Sequence, residues 1–376
     1  MTAVARVRGS ASRLRASRII GVDVARGLAV LGMLASHMLI TTPFDWAEPG
    51  TWTEVVDGRS SILFAVLAGV SLAILSGGRR PHDQLGRARM RIAVRAMAIF
   101  ALGSVLTSLG TPIAVILEYY AVLFLLALPV LRARPSTLFI AAGVWMLVMP
   151  WVRQSLWSGL LGSGADQLPF LDLLITGYYP ALVWFGYTLL GLGIGRLALG
   201  ERRVQLLLLA VGAALAAVGY TAGALAGSLL ERDPAIAGSL QSLFAEPFEL
   251  LSAGPHSDST FEAIGSSGFA LAVLALCLLA TGPLRVMLAP VAATGALALT
   301  AYTAHIVVLW VLGVEFWLVH RGPGQYLAYA VPIVAFCTLW WLLLGKGPLE
   351  RPLTWISNRV ADLGRVPTQR PAEPRS

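Results

Sequence analysis

Charge is scarce in this sequence. Only 13% of its 376 residues are Asp, Glu, Lys or Arg, whereas soluble domains contain about a quarter. Hydrophobic residues make up 57% of the chain and recur in blocks of about twenty, the length of helix that crosses a hydrocarbon core of about 30 Å. Because lipid offers the backbone no hydrogen bonds, these blocks are predicted to be membrane-spanning helices.

Disulfide, metal-site and signal-peptide patterns are also lacking. The two cysteines, Cys277 and Cys337, both fall in apolar blocks and are predicted to be buried small hydrophobes. No Cys or His spacing matches a metal site, so neither a metal nor a permanently bound cofactor is predicted. The first apolar stretch, 19–40, contains Asp23 and Arg26 and no clear small-x-small cleavage site, which argues against a cleaved signal peptide.

The apolar blocks predict an all-α fold, a polytopic membrane helix bundle of about ten transmembrane helices. Each span is taken from an apolar run between polar or helix-breaking residues. The predicted spans are 19–40, 60–77, 92–110, 112–131, 136–152, 178–199, 204–230, 262–281, 294–318 and 326–345.

The placement of basic residues predicts that both termini are cytoplasmic. With the N-terminus inside, the cytoplasmic segments contain 23 Lys and Arg residues and the outer loops contain four, as the positive-inside rule requires. The net charge of +8 is therefore interpreted as an orientation signal, and no nucleic-acid partner is predicted. The predicted organisation is a basic cytoplasmic tail at 1–18, a transmembrane domain at 19–345 and a basic cytoplasmic tail at 346–376.

The first span contains three ionisable residues, Asp23, Arg26 and His37. Such groups are costly inside a membrane, so each is a functional hypothesis. Asp23 and Arg26 are spaced for an ion pair on one helix face. His37 follows Arg26 by eleven residues, which puts both on nearly the same face about 16.5 Å apart. The alternative is structural: a helix cap, an arginine that snorkels to the surface and an interfacial histidine.

The stretch RIIGVDVARGLAVLGMLASHM resembles the first-helix signature of the transmembrane acyltransferases. This superfamily includes the acyltransferase-3 family and the heparan-alpha-glucosaminide N-acetyltransferase-like membrane proteins. Asp23, Arg26, Gly27 and His37 fit its pattern. The resemblance implies a ten-helix bundle that takes an acyl group from a cytoplasmic acyl-CoA to an extracytoplasmic acceptor. In the acyltransferase-3 family the residue equivalent to His37 is thought to act as base.

Three further segments, 254–271, 293–310 and 345–355, resemble the heparan acetyltransferase-like proteins; Tyr302 and His305 match their late-helix Tyr and His. Two departures leave the base open. Those proteins usually have Asn at the position of His37, and the heparan acetyltransferase has a catalytic histidine in its first outer loop. The loop 41–59 here has only carboxylates: Asp45, Glu48, Glu54 and Asp57. The base is therefore predicted to be either His37 or a loop carboxylate.

Other residues are assigned supporting roles. Glu118 and His305 are candidates to assist His37, each with a structural alternative. Arg87, Arg91 and Arg95 recur every four residues and are predicted to bind the phosphates of the donor, with a positive-inside or lipid-anchoring cluster as the alternative. Trp46, Trp52 and Asp57 are candidates for acceptor binding, although interface anchoring explains the tryptophans equally well. His256 and His320 are predicted to be solvated loop residues.

The predicted function is a membrane-bound acyltransferase that moves an acyl group, expected to be acetyl, from cytoplasmic acetyl-CoA to a cell-envelope glycan or glycolipid. The predicted location is the plasma membrane, and the partners are the lipid bilayer, acyl-CoA and the acceptor. A transporter or lipid flippase, which often has broken helices in two similar halves, is the first alternative. A non-catalytic scaffold is the second. Acceptor identity, acyl chain length and the oligomeric state, including a homo-oligomer, are left open.

Overall fold

The computed structural model describes residues 18–40, 42, 44–45, 47–81, 85–160, 163–164, 168–233, 235, 238–239 and 247–363. These residues form helices joined by turns, and no strand occurs among them. The predicted all-α, polytopic bundle is confirmed.

The main helices are α1 (Ile20–Met38), α2 (Arg59–Leu75), α3 (Leu85–Ser108), α4 (Leu117–Ala127), α5 (Pro135–Leu160), α6 (Ala181–Ile194), α7 (Arg202–Arg232), α8 (Thr260–Ala280), α9 (Ala289–Ala296), α10 (Ala298–Leu312), α11 (Pro323–Leu343) and α12 (Glu350–Leu363).

Shorter elements lie between the main helices. A 3-10 helix precedes α2, a second follows α4, and a short helix with a π-helical turn precedes α6. Two further short helices precede α8 and α11. In the order just given, their bounds are Pro49–Val56, Pro129–Arg132, Pro169–Leu171 with the π-helical turn Asp172–Thr176, Pro247–Leu251 and Val314–Val319.

Among the described residues, seven helices are long and apolar enough to cross a membrane, and up to nine if each bent pair is one span. The segment Pro169–Thr176 meets α6 at a bend of 57°, and α9 meets α10 at a bend of 82°. The one α-helix in the predicted span 112–131 is the 11-residue α4, which is shorter than a bilayer crossing. Pro112 lacks a backbone N–H and Gly110 has a φ of 68°, so a helix does not continue through this turn.

Helix α1 lies inside the bundle, where it packs against α2, α8, α9, α10 and α11. Two glycines permit the close approach of α9. A Cβ atom on Gly27 would lie 2.1 Å from the carbonyl oxygen of Val291, and one on Gly295 would lie 1.8 Å from that of Asp23. Such backbone-to-backbone packing through small residues is typical of membrane helices. It fixes the polar face of α1 against its neighbours.

A Gly295→Ala substitution is expected to destabilise the bundle by about 1–3 kcal/mol, because the new methyl group would force α9 away from α1. The measurement is thermal unfolding of the purified protein in detergent. Gly143→Ala in α5 is the matched control, since a Cβ atom there meets nothing within 4 Å. Equal melting temperatures for the two variants would contradict the proposed packing.

Helix α12 lies within the segment predicted as the C-terminal tail. It packs along α3. At its start, the Glu350 carboxylate accepts hydrogen bonds from the backbone N–H of Thr300 (3.0 Å) and its hydroxyl (2.7 Å). The carboxylate thereby caps the beginning of α10, where backbone N–H groups have no partner within the helix. Helix α12 is thus anchored at the bend between α9 and α10.

Candidate functional site

Asp23 and Arg26 of α1 belong to a network of ion pairs and hydrogen bonds. The Asp23 carboxylate accepts hydrogen bonds from Arg26 (2.9 Å) and from Arg18 (2.7 and 2.9 Å). Arg26 also donates to the Ser71 hydroxyl on α2 (3.0 Å) and to the Gly295 carbonyl on α9 (3.3 Å). Asp23 is only 7% exposed, so its charge depends on these partners. The network connects three helices, and the predicted catalytic role of Asp23 and Arg26 stays a prediction.

His37 on α1 meets His305 on α10. Nδ1 of His37 lies 3.1 Å from Nε2 of His305, and the two rings stack with centroids 5.3 Å apart and planes at 20°. His305 is only 1% exposed, whereas His37 is partly exposed. The two predicted histidines are therefore brought together across the bundle, although 268 residues separate them in the chain.

The tautomers of the histidine pair decide which ring nitrogen is free to act as a base. Nδ1 of His305 is buried and has no hydrogen-bond partner among the described residues. If this nitrogen carries the proton, Nε2 of His305 accepts from Nδ1–H of His37, and Nε2 of His37 keeps a free lone pair. The Tyr302 ring packs edge-on against His305, and the Trp317 indole donates to the His37 carbonyl (2.8 Å). The pair can therefore present one basic nitrogen.

Glu118 lies at the start of α4 and is hydrogen-bonded to α3. Its carboxylate accepts from the hydroxyls of Ser104 (2.6 Å) and Thr107 (2.9 Å). Among the described residues no hydrogen bond links it to His37 or His305. The structure thus gives Glu118 partners in a neighbouring helix, and its predicted catalytic role stays a prediction.

The predicted acceptor residues lie in and after the 3-10 helix Pro49–Val56. Trp52 is 48% exposed, and its indole donates to the Asp45 carbonyl (3.1 Å). Trp46 lies outside the described residues. Asp57 lies just before α2, and its Oδ1 is 3.9 Å from Nε2 of His256. Asp57 is therefore the predicted acceptor residue that the structure places beside another ionisable group.

His256 was predicted to be a solvated loop residue, and that prediction is wrong. Its side chain is only 15% exposed. The ring packs against Tyr178 at 4.3 Å and Tyr179 at 5.7 Å between centroids. Burial lowers the pKa of His256 to about 4, so the imidazole is neutral at physiological pH. His320 is exposed, as predicted.

The loop before α8 holds His256 in place. The Glu262 carboxylate accepts from the backbone N–H groups of His256 (2.8 Å) and Asp258 (2.7 Å). Ser259 caps α8 by accepting from the backbone N–H of Glu262 (2.9 Å). This Ser-x-x-Glu pattern is a variant of the capping box, and it is the sequence signal that could have indicated an ordered loop.

A second carboxylate in the same loop is also buried. Asp258 accepts from the Trp184 indole (3.0 Å) and lies 3.6 Å from Arg153. Burial raises the pKa of Asp258 to about 6, and the Arg153 charge partly opposes this rise. The loop is thus joined to α5 and α6.

The predicted donor residues lie at one end of the bundle, here called the arginine-rich end (Arg87, Arg91, Arg95). All three belong to α3, and Arg87 and Arg95 contact α12. Arg87 forms an ion pair with Asp362 (2.5 Å), and Arg95 donates to the hydroxyls of Thr354 and Ser357 (both 3.3 Å). Nε of Arg91 is buried and has no hydrogen-bond partner among the described residues.

Further cations join this cluster. Burial and the positive charges of Arg95, Arg18, Arg91 and Arg351 lower the pKa of Lys346. Arg87 is already paired with Asp362, whereas Arg91, Arg95 and Lys346 form no ion pair among the described residues. These three cations are therefore the candidates to attract an anion.

A cavity of about 590 Å³ lies between α1, α9 and α11. Its lining includes Leu31, Pro290, Tyr326 and Val334 and is almost wholly apolar. None of the predicted site residues that the structure describes lines it.

The fold and the site together define a multi-pass membrane protein with a histidine pair between two of its helices. The family model for the catalytic region of heparan-alpha-glucosaminide N-acetyltransferase matches residues 18–223, over half of the chain. The chain belongs to this family, which confirms the predicted resemblance and implies an acetyltransferase. The match contains Asp23, Arg26 and His37 and ends before His305. No match was found among curated proteins.

Proposed function

We propose that the protein is a plasma-membrane acyltransferase that moves an acetyl group from cytoplasmic acetyl-CoA to a glycan or glycolipid of the cell envelope. The observation that supports it most is the contact between His37 and His305 inside a bundle of an acetyltransferase family. An imidazole titrates near neutral pH and is the commonest general base. The contact lets His305 orient the His37 ring for acyl transfer.

The chemistry follows from that contact. Nε2 of His37 takes the proton from the hydroxyl or amine of the acceptor as the oxygen or nitrogen attacks the thioester carbonyl. The new bond joins the acceptor to the acyl carbon, and the bond from that carbon to sulfur breaks. The thiolate leaves and takes the proton from the imidazolium. His305 holds the His37 ring in the tautomer that this step needs.

The arginine-rich end supports a donor site. Arg91, Arg95 and Lys346 form a basic cluster, and guanidinium groups match phosphate geometry well. The same residues lie on the side that the positive-inside rule predicts to be cytoplasmic, where acetyl-CoA is available. His37 follows Arg26 by eleven residues on α1, about 16.5 Å along the axis. The donor phosphates would therefore bind at one end while the thioester reaches towards His37.

The direct test is acetyl transfer by the purified protein in lipid nanodiscs. Acetyl-CoA is supplied at one face together with a glycolipid extract from the cells that produce the protein. We expect release of free CoA thiol and a new acetylated glycolipid by mass spectrometry. Absence of both products with every glycolipid fraction would contradict the proposal.

Replacing Arg91, Arg95 and Lys346 together with Gln is expected to raise the KM for acetyl-CoA by at least about 10-fold, because charge-assisted hydrogen bonds to phosphate are lost. The effect should shrink as salt is added, since ions screen the wild-type attraction. Arg89→Gln is the matched control: Arg89 lies on the same helix but donates to the Leu128 carbonyl. An unchanged KM in the triple variant would remove the donor site from this cluster.

One observation favours the transporter alternative. Broken helices at membrane depth are typical of transporters, and two bent pairs occur here. They are the sixth and ninth of the ten predicted segments, however, so they do not occupy matching positions in two halves. Glycolipid movement across a vesicle membrane without acetyl-CoA would support this alternative.

A further inference from the structure

The loop 254–259 lies outside the family match. It contacts the segment between α1 and α2 at Gly58. Gly58 has a φ of 62°, and a Cβ atom there would lie 3.2 Å from Pro255 and 3.4 Å from the backbone nitrogen of His256. The positive φ favours glycine at this position, and the short distances leave little room for a side chain. This close approach brings the Asp57 carboxylate towards the His256 imidazole.

The backbone at His256 is held in an unusual conformation. His256 has a φ of 60° and Asp258 a φ of 51°, a region that non-glycine residues seldom occupy. The buried Glu262 carboxylate fixes both residues through their N–H groups. Strained backbone that the surroundings hold in place tends to occur at functional sites.

The two ring nitrogens of His256 differ in their surroundings. Nε2 lies 3.9 Å from Asp57, longer than a hydrogen bond but short enough for a bound polar group to connect the two. Nδ1 is buried and has no hydrogen-bond partner among the described residues. The half-exposed ring of Tyr178 covers the imidazole. A neutral imidazole and a carboxylate beside an exposed aromatic ring suit a ligand rich in hydroxyl or amine groups.

This pair belongs to the region of His37. Ser36, the residue before His37, donates a hydrogen bond to the carbonyl of Val56, the residue before Asp57 (3.3 Å). Gly32, one turn earlier on α1, lies against the same segment, since a Cβ atom there would be 3.6 Å from Cβ of Val56. The two sites are therefore neighbours within one region of the bundle.

We propose that His256 and Asp57 form the acceptor-binding subsite, where they hydrogen-bond a hydroxyl or amine of the acceptor and hold it for attack at His37. The proposal rests on the acyltransferase function proposed above. It assigns binding to His256 and Asp57 and proton transfer to His37. The two roles affect different kinetic constants.

The test is steady-state acetyl transfer in nanodiscs. The varied substrate is the glycolipid fraction that the wild-type protein acetylates. His256→Asn is the preferred variant, because Asn tolerates a positive φ better than most residues and the loop should keep its shape. We expect the KM for the acceptor to rise roughly 10- to 100-fold. The KM for acetyl-CoA should be unchanged and kcat should change little, because the lost hydrogen bond holds the acceptor equally in the ground state and the transition state. Asp57→Asn should give the same pattern.

His320→Asn is the matched control, since His320 is exposed, and it should leave all three constants unchanged. Melting temperatures within about 4 °C of wild type would show that the variants fold. An unchanged acceptor KM in folded His256→Asn, or a loss confined to kcat, would overturn the subsite while leaving the acyltransferase function intact. Absence of transfer by the wild-type protein would contradict the function itself.

Discussion

Replacing His37 with Ala should lower kcat for acetyl transfer by about 10²- to 10⁴-fold, the usual contribution of a general base. The KM for acetyl-CoA should change little, because the donor cluster lies at the other end of α1. His305→Ala should also lower kcat, since it removes the group that holds the His37 ring at 3.1 Å. The measurement is the initial rate of thiol release with saturating donor and acceptor.

The comparison with His37→Asn separates the two histidines. Asparagine is the residue that the heparan acetyltransferase-like proteins usually have at this position, and it cannot act as a base. Wild-type activity in His37→Asn together with an inactive His305→Ala would transfer the role of base to His305. His320→Ala serves as the control for loss of an imidazole as such, because His320 is exposed.

Replacing Asp23 with Ala should destabilise the protein by about 3–5 kcal/mol, because removing one partner leaves a buried charge without compensation. Two arginines, Arg18 and Arg26, would lose their carboxylate. Thermal unfolding in detergent measures the effect. Asp233→Ala, at an exposed position at the end of α7, should be within about 0.5 kcal/mol of wild type.

A double variant tests whether the network is an ion pair. Asp23→Ala combined with Arg26→Met removes both charges and should recover part of the lost stability. If the double variant is no more stable than Asp23→Ala, the Arg26 charge is not the source of the loss. Unchanged stability in Asp23→Ala would show that the three-helix network contributes little to the fold.

The hydrophobic pattern of the sequence determined the fold class. Low charge and apolar blocks of membrane length allow only helices, and the spacing of Asp23, Arg26 and His37 puts them along one face of α1. The pattern was less informative at breaks. It predicted full spans over 112–131 and 294–318, with a short extra helix possible at Pro290, where the structure has the short α4 and the 82° bend between α9 and α10. Periodicity reports which residues are apolar and does not report where a helix bends.

The pairing of distant residues was decided only by tertiary structure. Sequence spacing could not join His37 to His305, or Asp57 to His256, because each pair belongs to segments far apart in the chain. Nor could it distinguish a solvated His256 from a buried one, since its burial depends on Tyr178 and Tyr179 and on the loop that Glu262 holds. The sequence by itself thus determined a membrane helix bundle and the polar face of its first helix. Packing between helices decided which side chains contact that face. Two side chains reach hydrogen-bonding distance only where their helices cross, and no local sequence pattern encodes the positions of those crossings.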